Sequence, residues 1–172
     1  MDITLKNLQK KILLNSHLIT RITRAILRHE NICKADLSIV FVTHQRIRSL
    51  NRKYLRRDHV TDVLAFELGG TSPLKGSRER NGRNISGEII ISADAALANT
   101  KIYSTSLSRE IILYVIHGIL HLLGLNDHEP VDIKKMRERE QKLLSYVGPK
   151  IKNVARLNSK LMVTNNTKQS KK

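Results

Sequence analysis

Two imidazoles, His117 and His121, stand four residues apart in the run Ile116-His117-Gly118-Ile119-Leu120-His121-Leu122-Leu123-Gly124, which has no other polar side chain. On a helix this spacing is about 6 Å of axial rise and puts both rings on one face. Two histidines held that way by a rigid element chelate one divalent metal, a better account of the pair than two separate core histidines. Gly124 lets the chain turn just beyond them, where Asp127, His128 and Glu129 are candidates for a third donor. Zinc peptidases of the H-E-x-x-H kind carry a glutamate directly after the first histidine, as the base that takes a proton from water; here that position is Gly118. A hydrolase on this site needs its base elsewhere, or relies on the metal's effect on water and on the scissile group. Peptide hydrolysis is thereby disfavoured.

The histidines require a helix to carry them. Ile111, Ile112, Leu113, Val115, Ile116, Ile119, Leu120, Leu122 and Leu123 occupy every side of that segment, so it runs through the interior, starting at Ser106 or Ser108 and ending at Gly124. Around it the patterning predicts strands over 2–5, 37–42, 62–68 and 85–92, the last mostly apolar and therefore central. Helices are predicted over 17–29, with Ile12 and Leu13 counted in the same spacing, over 44–55 after Thr43, over 93–102 after Ser92, and over 131–147 after Pro130. Residues 69–83 are rich in glycine and cations and read as a mobile loop.

Charge narrows the partner. The chain has 172 residues with 31 Lys+Arg against 15 Asp+Glu, a net +16, in a length that suits one domain. A polyanion is the expected partner, nucleic acid ahead of a membrane surface. Cys33 is the only cysteine, which excludes a disulfide framework, and no stretch of 18 apolar residues occurs, so the expectation is a cytoplasmic protein acting as a monomer. Two segments concentrate the excess. The polar face of 44–55 holds Arg46, Arg48, Arg52 and Lys53, with Arg56 and Arg57 following; residues 150–172 carry seven Lys or Arg and no acid, and read as a disordered basic tail beyond a metal-binding domain of 1–149.

The run His117-Gly-Ile-Leu-His121-Leu-Leu-Gly124-Leu-Asn-Asp127-His128 resembles the signature of the YbeY family of bacterial metal-dependent endoribonucleases. Asn51-x-x-Tyr54-x-x-x-Asp58-x-x-Thr61-Asp62-Val63-Leu64-x-Phe66 and Gly87-Glu88-Ile89-Ile90-Ile91-Ser92 are similar to two further family blocks, extending the likeness over about 3–147. The resemblance implies an α+β domain, a small mixed four-stranded sheet packed with about five helices, and one metal, with zinc the first choice, on three histidines. It implies a single-strand-acting endoribonuclease of rRNA maturation, at the small-subunit rRNA 3′ end, and of ribosome quality control, with the ribosome or small-subunit proteins as partners. Family spacing puts the third ligand at Asp127, whereas ligand type puts it at His128; imidazole is preferred, giving His117, His121 and His128. The family's RNA-cleaving arginine aligns with Leu55, so Arg56 is the catalytic candidate, with Arg52, Lys53 and Arg57 as RNA contacts. The alternatives are a non-catalytic rRNA-binding assembly factor whose metal is structural, and a zinc hydrolase of another substrate.

Overall fold

The computed structural model describes residues 1–59, 61–68 and 83–159. In chain order the elements are β1 (Asp2–Asn7), β2 (Ile12–Leu14), α1 (Ser16–His29), β3 (Ile32–Val42), α2 (His44–Leu55), β4 (Val63–Glu67), β5 (Arg83–Ser92), α3 (Ala93–Ile102), α4 (Leu107–Leu122), α5 (Pro130–Val147), a 3-10 turn (Gly148–Lys150) and β6 (Ala155–Leu157). The main sheet has the order β1-β3-β5-β4, with β1, β3 and β5 parallel and β4 antiparallel to β5. This is the expected α+β architecture with a mixed four-stranded sheet and five helices. Side chains alternate across the sheet. Ile39, Phe41, Ile89 and Ile91 point to the main core under α1, α4 and α5, while Val40, Val42, Leu64 and Ile90 point the other way and cover Ile47 of α2. So α2 and α4 lie on opposite faces, with β4 at the sheet's edge.

Local chemistry sets the helix starts. Thr43, Ser92 and Ser106 each accept a hydrogen bond from the backbone N–H three residues on, capping α2, α3 and α4 as their sequences require. Asn15 does the same for α1, accepting from Leu18, so the helix cannot reach back to Ile12 and Leu13. Those two residues instead form β2, antiparallel to β6. This pairing corrects the reading of a tail from residue 150. Ile151 and Val154 are buried in the main core, and Ser108 Oγ bonds both the N–H and the carbonyl of Ala155, so the fold continues through β6. Lys150, Lys152 and Arg156 therefore belong to the folded part, and the expected disordered tail is left to residues 160–172, outside the described ones. The predicted mobile loop at 69–83 also lies outside them, except Arg83, which opens β5. Among the described residues no helix is long and apolar enough to cross a membrane.

Candidate metal centre

Helix α4 is buried nearly all round because it lies directly on the sheet. A Cβ added at Gly118 would stand 2.4 Å from Ile89 Cγ2, and one at Gly87 would meet Leu122 and the Phe66 carbonyl at 2.8 Å. These two glycines let helix and sheet approach closely. Gly118 thus faces β5, which turns His117 away from the sheet and leaves no room at 118 for a peptidase-type glutamate.

The two rings meet edge to face, centroids 4.4 Å apart, with their Nε2 atoms 2.9 Å from each other. What holds them is on the outer nitrogens. His121 Nδ1 lies 2.9 Å from the Leu125 carbonyl, which can only accept, so that nitrogen carries the proton and Nε2 offers a lone pair in the neutral ring. Burial, and next the neighbouring His117, push the His121 pKa down and favour that neutral form. His117 Nδ1 lies 2.6 Å from Glu140 Oε1 of α5; with the carboxylate accepting, its Nε2 is likewise presented. Gly124, at φ +88° in the left-handed region that glycine adopts without cost, ends α4 and turns the chain so that Leu125 can reach back to His121.

That same turn delivers the third donor. Asp127 Oδ2 is 3.6 Å from His117 Nε2 and 3.7 Å from His121 Nε2. Among the described residues, His117, His121 and Asp127 form the one cluster of three metal-donor side chains, with donor atoms all within 4.8 Å of one another. His128, preferred from the sequence as third ligand, is outside that group: its side chain is 67 % exposed, and its Nδ1 lies 3.9 Å from the other oxygen of Asp127. The extra residue before the histidine carries it past the site and leaves Asp127 in its place. Three donors that each bind one ion at about 2.0–2.2 Å stand roughly 3–4 Å apart, so this set fits a divalent metal. Two imidazole nitrogens at 2.9 Å, with a carboxylate facing both, are satisfied either by a shared proton or by a bound cation.

Glu140 was not legible as functional among the alternating charges of α5. Its signal was positional: it lies four residues after buried Met136 and three before buried Leu143, so a carboxylate sits on the helix's apolar stripe. Glu140→Gln is expected to weaken metal affinity by about 10–100-fold while leaving the fold intact, measured by chelator competition. Affinity within about twofold of the wild type would remove the role of that hydrogen bond.

The second motif is tied to the first from below. Tyr114, one turn before His117, accepts a hydrogen bond from Asn99 Nδ2 at 2.7 Å. Burial and the nearby Asp62 and Glu110 carboxylates push its pKa up, keeping the hydroxyl protonated to bond Asp62 at the start of β4. Asn51 is buried on α2; its carbonyl accepts the Arg57 N–H at 3.5 Å and also that of Arg56, and its Nδ2 donates to the His59 carbonyl at 2.8 Å, fixing the chain that leaves the helix. Arg56 itself is held at φ 56°, ψ 27°, a left-handed conformation that costs a non-glycine residue on the order of 1 kcal/mol. Arg48 pairs with Asp58 at 2.9 Å, and its hydrogen bond lowers the Asp58 pKa. Arg52, Lys53, Arg56 and Arg57 make no ion pair within 4 Å among the described residues. These candidate RNA contacts gather at the end of α2, across the sheet from the histidines.

Comparison with known proteins agrees with this geometry. The family model for endoribonuclease YbeY matches residues 4–148. A Salinibacter ruber protein named endoribonuclease YbeY is 38 % identical over 131 residues, covering 73 % of this chain and 82 % of the relative. One of the same name from Pelotomaculum thermopropionicum is 36 % identical over 152 residues, covering 86 % and 98 %. The solution structure of TM1509 from Thermotoga maritima superposes with a TM-score of 0.57 at 25 % identity, over 86 % of this chain and 90 % of that one. With its histidine helix, the turn after it and the sheet beneath all inside the matched span, this chain belongs to the endoribonuclease YbeY family.

Proposed function

We propose that this chain is a metal-dependent endoribonuclease that cuts single-stranded RNA in the cytoplasm, in the maturation of rRNA at the small-subunit 3′ end and in ribosome quality control. The observation that carries the reading is the converging trio of His117 Nε2, His121 Nε2 and Asp127 Oδ2, each histidine locked from behind. His117, His121 and Asp127 would hold the ion, for which zinc suits the donor set, though nitrogen and oxygen ligands also accept other divalent first-row metals. Bound there, a divalent cation supplies Lewis-acid charge to a phosphodiester under attack.

The protein's own groups do the rest. Glu140 and the Leu125 carbonyl keep both rings in the tautomer that leaves Nε2 unprotonated. Arg56, with Arg52, Lys53 and Arg57, binds the phosphate backbone; the net +16 supports this role, and each phosphate contact adds about one unit to the salt dependence of binding. Gly118 contributes close packing and offers no side chain to prepare an attacking hydroxyl.

The test compares cleavage of a single-stranded RNA by the wild type and by His117→Ala, each with divalent metal and with chelator. Cleavage by the metal-loaded wild type alone, at least about a hundredfold above the variant, is expected. Equal activity in both would overturn the mechanism. RNA binding with no cleavage by the metal-loaded wild type would instead favour an assembly factor with a structural metal.

A further inference from the structure

The chain is poor in aromatics, with four Tyr, two Phe and no Trp, yet Tyr54 is 56 % exposed. Its ring and that of Phe66 of β4 meet edge to face, with centroids 5.6 Å apart and planes inclined at 63°. That contact fixes the ring's orientation from below. Lys53 Nζ stands over one face of the ring, 5.2 Å from its centre, so a base would take the other face or displace the flexible lysine; Arg52, Arg56 and Arg57 leave the same end of α2. A ring set among cations, with Leu55 beside it 46 % exposed, is a poor place for a core residue. It suits a flat, apolar group attached to a polyanion.

We infer that Tyr54 is a stacking platform for one unpaired base of the RNA, with the α2 cations holding the phosphates on either side of it. This inference rests on the endoribonuclease reading and deepens it by naming what selects the substrate. A base inside a duplex has both faces covered by its neighbours, so only an unpaired base can lie on the ring. The platform and the histidines are on opposite faces of the sheet, with β4 at the edge between them. A strand anchored by a base on Tyr54 therefore has to round the sheet to bring its scissile phosphate to the histidines.

The experiment uses the full chain, metal-loaded, and a short cleavage-resistant single-stranded RNA bearing 2′-O-methyl and phosphorothioate groups. A second oligomer has the same backbone and no bases. Tyr54→Ala is expected to bind the first oligomer roughly tenfold more weakly than the wild type, and Tyr54→Phe within about twofold, with the salt slope unchanged. Both variants are expected to match the wild type on the base-free oligomer. Tyr54→Trp introduces the only tryptophan of the chain, and its emission is expected to be quenched by the RNA and not by the base-free backbone. Unquenched emission, or Tyr54→Ala binding within about twofold of the wild type, would overturn the platform. Metal-dependent RNA cleavage by the wild type would then still support the endoribonuclease reading, so the two failures are distinguishable.

Discussion

Asp127→Ala is expected to weaken metal binding by at least about a hundredfold and RNA cleavage with it, while His128→Ala keeps metal affinity within about threefold. The difference follows from the turn. Asp127 Oδ2 faces both Nε2 atoms at 3.6 and 3.7 Å, whereas His128 points to solvent and touches only the far oxygen of Asp127. Removing Asp127 leaves two imidazoles and no charged donor on the ion itself, with Glu140 acting only through His117, the largest single loss the site can suffer short of a histidine. Removing His128 takes away a weak contact at 3.9 Å. Competition against a chromogenic chelator measures both, with Asp127→Asn separating loss of charge from loss of shape. The opposite ranking, with His128→Ala the severe variant, would make His128 the ligand and Asp127 its orienting partner.

Gly118→Ala gives the second large effect, on stability. In an isolated helix, alanine is better than glycine by about 1 kcal/mol. Here the new Cβ would stand 2.4 Å from Ile89 Cγ2, far inside van der Waals contact. Ile89 is fully buried on an interior strand, and Cγ2 sits directly on its branched Cβ, so it cannot swing aside without an unfavourable χ1. Helix or strand must shift, as in any overpacked core. With overpacking at the upper end of its usual range, a net loss of about 1–2 kcal/mol is expected, or roughly 2–8 °C in Tm for a chain of this size. Because the shift lifts α4 from β5, His117 moves relative to Glu140 and metal affinity falls as well. A Tm equal to or above the wild type's would show that the helix is not seated on the sheet as described.

The same glycine shows why part of the site was legible in the sequence. The spacing of His117 and His121, the apolar surroundings of their helix and Gly124 after it fix one element and one face, and α4 carries them so. The caps Thr43 and Ser92 were equally readable because an N-cap is a local event, decided within three or four residues, and of the two serines offered for α4 the structure uses Ser106. What escaped depends on partners distant in sequence. β2 and β6 are three residues each, too short to show a period, and Ile12 takes its partner from Leu157. Glu140 reaches His117 across 23 positions. The third ligand was ambiguous because one extra residue in a turn alters which side chain returns to the helix, and only the backbone path decides it. Residue type favoured His128; the path brings Asp127.

The net +16 likewise separates by location. Lys150, Lys152 and Arg156 are on a folded segment that closes over Ser108 and β2, and the α2 cations frame Tyr54.

We propose that one divalent ion on His117, His121 and Asp127 enables this chain to cut RNA. To check this, the wild-type protein is stripped with a chelator, metal is returned in known amounts, and cleavage of a single-stranded RNA is followed. Activity absent in the stripped protein and rising to a plateau at about one ion per chain is the predicted result. Undiminished cleavage by the stripped protein, with metal analysis confirming the ion is gone, would contradict it.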